Sequence, residues 1–208
     1  MLHTEDNFLI IGITTPDQSA DIRNESFSIS QYLKSGAVDL FHIRKPDSDL
    51  SYVRSLISVI PSELHSRLVL HSHFHLFDQY NFGGFHYKSE NAGFLPENRI
   101  ISRSCHSVLE CNVDSHLFTY SFLSPIFDSI SKEGYKSKFS LKDETLLDTI
   151  GRWPVIALGG VSPEDFEILY EAKFAGAALL GYLWNSKLTL EAKINSLLSS
   201  RQKLIKHK

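Results

Sequence analysis

Pro154-Val155-Ile156-Ala157-Leu158-Gly159-Gly160-Val161 runs straight into Ser162-Pro163-Glu164-Asp165, and the chain then returns as Gly176-Ala177-Ala178-Leu179-Leu180-Gly181. The two short apolar runs, each closed by glycine, read as strands, and the segment between them reads as a helix with a visible start. Ser162 supplies an N-cap hydroxyl and Pro163 sits in the first turn. Glu164 and Asp165 lie beside the positive end of the helix dipole, ahead of Phe166, Leu169 and Tyr170. Strand, helix and strand in that order make a βα crossover in a parallel sheet.

The same alternation extends through the rest of the chain. Strand-like runs fall at 8–14, 38–44, 67–71, 84–87, 99–102 and 117–122, which with 154–158 and 176–180 makes eight. Val53, Leu56, Ile57 and Ile60 follow the spacing that puts apolar groups on one helical face. Ser140 and Thr189 are read as further helix caps, with Gly151 as the stop of the first of these helices. The segments after the third to fifth strands are short and lack a helical period, so thin helices or turns are expected there. No linker or composition shift divides residues 1–208. Right-handed crossovers and eight strands favour a single-domain (β/α)8 TIM barrel over an open sheet. At 208 residues, each unit has only about 26 residues, the short end for this architecture.

Composition excludes several function classes. The net charge of −3 gives no basic footprint, and the basic tail at 201–208 reads as a solvated helix end, so no nucleic-acid partner is expected. Apolar runs are far shorter than the roughly 18 residues of a membrane span, and the polar start lacks the regions of a signal peptide. No membrane partner and a cytoplasmic location are therefore expected. Cys105 and Cys111 are the two cysteines, and their placement argues against a structural disulfide. Histidine is enriched, with ten residues, and its clustering carries more information than the count.

In a barrel of this kind chemistry belongs at the C-terminal strand ends. His42 and Arg44 share one face of the second strand, where Arg44 is either an anion ligand or the partner of Asp47. His71, His73 and His75 alternate after the third strand. They would share a face for a metal if the strand continued; a strand ending near His71 leaves only His71 in the rim, and no metal ligands are assigned. Ser104 and His106 share parity on the fifth strand, and His106 is either a general base and acid or a cap of the following helix. Cys105 has the opposite parity, which disfavours a Cys–His pair. The long segment after the sixth strand, containing Ser129, Ser131 and Lys132, reads as a ligand clamp or as an ordinary connection. Gly159, Gly160 and Gly181 let backbone amides approach a phosphate at the corner where such barrels commonly bind one.

Taken in order, several pieces resemble the thiamine phosphate synthase and TenI family of short barrels, over roughly residues 8 to 186. They are His42-Ile43-Arg44, Gly84-Phe85-His86, Arg103-Ser104-Cys105-His106-Ser107, Ser124-Pro125-Ile126-Phe127 with Ser129 and Lys132, and Ala157-Leu158-Gly159-Gly160-Val161. The resemblance implies two candidate activities. The synthase joins a pyrimidine diphosphate to a thiazole phosphate with magnesium, and its pattern has Gln-x-Arg-x-Lys at strand two, Asn-Asp at strand three and an Asp after strand four. The corresponding residues here are His42, Arg44 and Pro46, then His71 and Ser72, then Lys88-Ser89-Glu90-Asn91, with Lys45 and Glu90 as near misses. The thiazole-phosphate half matches better, through Ser129, Ser131, Lys132, Gly159, Gly160, Leu180 and Gly181. The Arg-Ser-x-His-Ser stretch is similar to the TenI-type enzymes, in which this histidine moves a proton.

The resemblance therefore implies a thiazole tautomerase without cofactor, with His106 catalytic and with Arg44, His42, His71 and Ser104 among the substrate contacts. Its small-molecule partner would be a thiazole phosphate, and the chain would assemble as a homo-oligomer. The alternatives are a magnesium-dependent synthase and a non-catalytic sensor of a phosphate ligand. The roles of His42, His71, His73, His75 and His86 as a group stay open at this stage.

Overall fold

Eight parallel strands pair in chain order and the eighth pairs back onto the first, so the sheet closes into a barrel. The structure is a computed structural model and describes residues 8–17, 21–88, 98–128 and 139–206. The strands are β1 (Leu9–Ile13), β2 (Leu40–Ile43), β3 (Leu68–Leu70), β4 (Gly84–Tyr87), β5 (Ile100–Cys105), β6 (Tyr120–Leu123), β7 (Val155–Ala157) and β8 (Gly176–Leu179). The helices are α1 (Ile22–Lys34), α2 (Leu50–Val59), α3 (Val108–Asn112), α4 (Glu144–Arg152), α5 (Phe166–Glu171) and α6 (Leu190–Lys206). This is the (β/α)8 barrel expected from the alternation.

Period-two alternation divides each strand between two cores. Leu9, Ile11 and Ile13 of β1 join Leu40, Val69, Ile100, Tyr120, Phe122, Ile156 and Ala178 inside the barrel. The residues between them, such as Ile10, Phe41, Leu70, Val155 and Ala177, face outward and pack with Ile29, Leu33, Leu56, Leu169 and Leu197 of the helices. At the N-terminal end of the barrel, Arg67 donates to the carbonyls of Leu33, Val38 and Asp39. Asp39 accepts from the Ile10 amide and pairs with Arg201 at 2.8 Å, which ties α6 to the first two strands.

The local signals account for most boundaries. Ser162 and Asp165 form a reciprocal capping box before α5, and Thr189 accepts from Ala192 N at the start of α6. Three expectations are corrected. α4 is capped by Asp143, whose carboxylate takes the Thr145 and Leu146 amides, rather than by Ser140. Gly151 lies inside that helix, which ends at Arg152 with Trp153 as its C-cap. β5 also runs on to Cys105, because its backbone stays paired with β6 as far as Leu123. The connection after β3 is a short 3-10 turn at Phe74–Asp78, as its missing period implied. No described helix is long and apolar enough to cross a membrane.

Lys45 lies one residue beyond Arg44, and the alternation turns it away from the barrel axis. Its ammonium is 2.7 Å from Glu25 of α1, with both side chains buried, and it also donates to the Asp17 carbonyl. This charge therefore anchors α1 and is spent on that helix and the loop before it. Breaking a buried pair by removing one partner strands the other charge, at a cost of about 3–5 kcal/mol. Lys45→Met is expected to lower unfolding stability by that amount in chemical denaturation, and the double variant Lys45→Met/Glu25→Leu is expected to recover most of it. Equal losses in both variants would contradict this account.

Candidate active site

At the C-terminal half of the barrel interior the filling side chains change from aliphatic to imidazole and hydroxyl. His42 of β2, His86 of β4 and Phe122 of β6 come from alternate strands and meet in one layer, with ring centroids 4.8 to 5.4 Å apart. His71, just past β3, stacks on His86 with centroids 4.1 Å apart and planes 18° from parallel. His42 is fully buried, and its two ring nitrogens contact His71 Nε2 at 2.9 Å and the Tyr120 hydroxyl at 2.7 Å. His86 contacts the Ser102 and Ser104 hydroxyls at 2.9 and 2.8 Å. Ser102 donates to the Phe85 carbonyl, so His86 donates from Nδ1 to Ser102 and accepts from Ser104 at Nε2.

Burial makes charge expensive here. It pushes the proton affinity of His42 and His71 well below the ordinary histidine range, and that of His86 down to about 3. Neighbouring imidazoles add to the effect at His42 and His71, and the Arg44 guanidinium adds to it at His71 and His86. The three rings are therefore neutral at pH 7. Burial likewise raises the Tyr120 phenol, so it stays a neutral hydroxyl.

The other anticipated residues are distributed around this cluster. Arg44 has an exposed side chain with no ion pair among the described residues, and its backbone is held at both polar groups by Thr14. Of the alternating histidines, only His71 faces the interior. His73 takes a left-handed backbone with φ of 54° and donates to the Ser48 carbonyl, while His75 is exposed on the 3-10 turn. His106 is exposed, one residue past β5. Its backbone amide is held by Glu110, which also exchanges hydrogen bonds with the cap residue Ser107. Ser104 points inward onto His86, whereas Arg103 and Cys105 belong to the outer layer. Arg103 donates to Ser121 and to the Cys111 carbonyl, and both cysteines are free and buried.

The corner after β7 is shaped by two glycines with positive φ, 90° at Gly159 and 68° at Gly160. A Cβ on Gly160 would collide with the backbone of Phe127 and Asp128, and one on Gly159 would lie 2.8 Å from Pro125. The Gly159 carbonyl accepts from Phe127 N at 3.0 Å, and Leu158 accepts from Ile126. The corner is thus locked to the segment after β6, and among the described residues the Gly159 and Gly160 amides have no acceptor. Leu180 lies against the inner core, and Gly181 opens an exposed turn after β8. Ser129, Ser131, Lys132 and Glu90 lie outside the described residues.

Local sequence does not single out His86, Ser102 or Tyr120 as members of one site. The available signal was parity, since Gly84 with His86, Ser102 with Ser104 and Tyr120 with Phe122 each alternate into the interior. What joins them across strands is register, which no single segment contains.

Residues 10–183 match the family model described as thiamine monophosphate synthase. The chain belongs to the thiamine monophosphate synthase family. A thiamine-phosphate synthase of Latilactobacillus sakei is 31% identical over 91 residues, a stretch spanning 42% of this chain and 40% of that protein. A thiamine phosphate pyrophosphorylase from Bacteroides thetaiotaomicron superposes with a TM-score of 0.75 at 29% identity, covering 96% of this chain and 98% of that one. A second pyrophosphorylase, from Pyrococcus furiosus, has a TM-score of 0.71 at 14% identity over 96% and 98% of the chains, a likeness of fold.

Magnesium, required by the synthase pattern, prefers an octahedron of oxygen donors supplied by carboxylates, phosphates and water. The carboxylate position after β3 is Ser72, and the interior donors of the described residues are imidazoles and hydroxyls. This donor set does not fit a resident magnesium ion.

The neutral imidazoles give a pH signature. An unfolded histidine takes up its proton near pH 6.5, whereas these rings resist until much lower pH, about 3 for His86. The unfolded state then binds more protons between those values. The stabilisation is complete above pH 6.5 and is lost as pH falls, at up to about 1.4 kcal/mol per pH unit for each ring. Urea midpoints are expected to fall steadily from pH 6.5 to 4.5, and His86→Gln is expected to flatten the slope by one ring's share. A stability that stays level through this window would overturn the assignment of buried neutral rings.

Proposed function

We propose that this protein is a cofactor-free tautomerase acting on a thiazole phosphate carboxylate through a 1,3-proton shift. In this reading the Gly159, Gly160 and Gly181 amides hold the phosphate, and Arg44 or Lys132 holds the carboxylate. His106 removes the proton from one ring position and returns it at the other, as base and then acid. Its imidazole has no intramolecular partner among the described residues, and Glu110 and Ser107 fix the backbone on either side of it. Ser129 and Ser131 would complete the thiazole half.

The observation that carries this reading is the hydrogen-bonded line His71–His42–Tyr120. His42 and His71 stand where the synthase pattern has polar side chains for a pyrimidine diphosphate, but their ring nitrogens bond to one another and to Tyr120. A site filled in this way favours one small substrate over two. A magnesium-dependent synthase is the second reading, favoured by the names of the similar proteins.

One NMR experiment separates the two. Purified protein is expected to accelerate conversion of the non-aromatic thiazole carboxylate tautomer to the aromatic form without added metal. His106→Ala is expected to slow that conversion by at least about 100-fold while phosphate-ligand binding persists. Unchanged turnover in this variant removes His106 from the mechanism. Magnesium-dependent thiamine phosphate formation with both synthase substrates, and no tautomer conversion, replaces the reading with the synthase.

A further inference from the structure

The ring nitrogens of His42, His71 and His86 converge from three adjacent strands, with one ligand atom from each lying within 4.8 Å of the others. We propose that these three imidazoles form a binding site for a divalent first-row transition metal such as zinc, with the remaining coordination position open toward the barrel mouth for an anionic ligand. Three neutral nitrogen donors suit zinc, cobalt or iron and disfavour magnesium and calcium, which select oxygen. Three protein ligands with a vacant position is also the arrangement that leaves zinc able to bind a further group.

The second contacts of the rings support this assignment. A ligating histidine usually donates its other ring N–H to a fixed acceptor, which orients the ring. His42 has the Tyr120 oxygen against Nε2, leaving Nδ1 for the metal, and His86 has Ser102 against Nδ1, leaving Nε2. Ser102 is fixed in turn on the Phe85 carbonyl. His71 contributes Nε2, which lies 2.9 Å from His42 Nδ1. Two nitrogens on one tetrahedral zinc, each at about 2.0–2.1 Å, stand roughly 3.3 Å apart, so this edge needs a small opening. The stacked His71 and His86 rings must also fan apart by rotation about χ2, and the Ser104 hydroxyl must leave His86 Nε2.

Loading requires one change of tautomer in the His42–His71 pair, because the shared N–H leaves the nitrogen that takes the metal. The rings are held neutral by burial, so no ring charge has to be discharged at neutral pH. His42 and His86 are buried while His71 is half-buried, and Arg44 lies on the same side with an exposed guanidinium. A cation there together with Arg44 would draw a carboxylate or phosphate. The proton shift proposed above does not use the metal, so the two proposals fail separately.

The test uses the full chain, stripped with a chelator and then dialysed free of it. Titration with zinc alone and with cobalt alone, followed by calorimetry and by cobalt visible absorption, is expected to show one ion per chain, with none of this response to magnesium. His71→Asn and His86→Gln are each expected to weaken binding by more than about 100-fold, and Tyr120→Phe by roughly 10–100-fold. The double variant His73→Ala/His75→Ala is expected to bind as the parent does. His71 is half-buried at the rim, so its variant is informative even if His86→Gln fails to fold. Absence of zinc and cobalt binding in the folded parent overturns the proposal. Undiminished binding in His71→Asn, or loss confined to the His73/His75 variant, also overturns it.

Discussion

An eight-stranded parallel barrel closes on a space that side chains must fill, and this filling requirement governs the rest of the molecule. Low in the barrel the requirement is met by Leu9, Leu40, Val69, Ile100 and Ile156, which need nothing but contact. Higher up, imidazoles and hydroxyls occupy the same kind of position. Buried polar atoms are costly unless they bond to each other. His42, His71, Tyr120, Ser102, His86 and Ser104 therefore come as a set, and altering one leaves a neighbour without its partner.

The two ends of the barrel divide the work of stability and chemistry. At the N-terminal end, charged groups are used up on backbone carbonyls and on each other, as with Arg67, Asp39 and Arg201. At the other end, the Arg44 guanidinium and the amides of Gly159 and Gly160 have no partner among the described residues, and among those residues His106 is held through its backbone alone. Groups left unpaired next to an ordered polar interior are the ones available to a ligand.

Much of this was legible in the sequence, for identifiable reasons. Strands of a barrel are short apolar runs, and the run at 84–87 coincides with β4 to the residue. β5 extends beyond its locally apparent end, because Arg103, Ser104 and Cys105 look like a strand end when taken locally. Pairing with β6 keeps them in the sheet. The Ser162 start was read from local chemistry, whereas Asp143 displaced Ser140 because its carboxylate reaches two amides. At the site, alternation paired His42 with Arg44 and singled out His71. It did not bring His86 or Tyr120 to them, because contacts across the barrel depend on closure and on strand register.

The interlocked glycine corner bears on how such a barrel can be remodelled. Gly159 and Gly160 have left-handed backbones with no room for a side chain, and the wall that excludes one is the chain from Pro125 to Asp128. The two loops share backbone hydrogen bonds as well. A graft from a related barrel that carried one loop alone would set new residues against an old wall. Residues 125–128 and the glycine turn after β7 thus form one transferable cassette, and the two have to be exchanged as a pair.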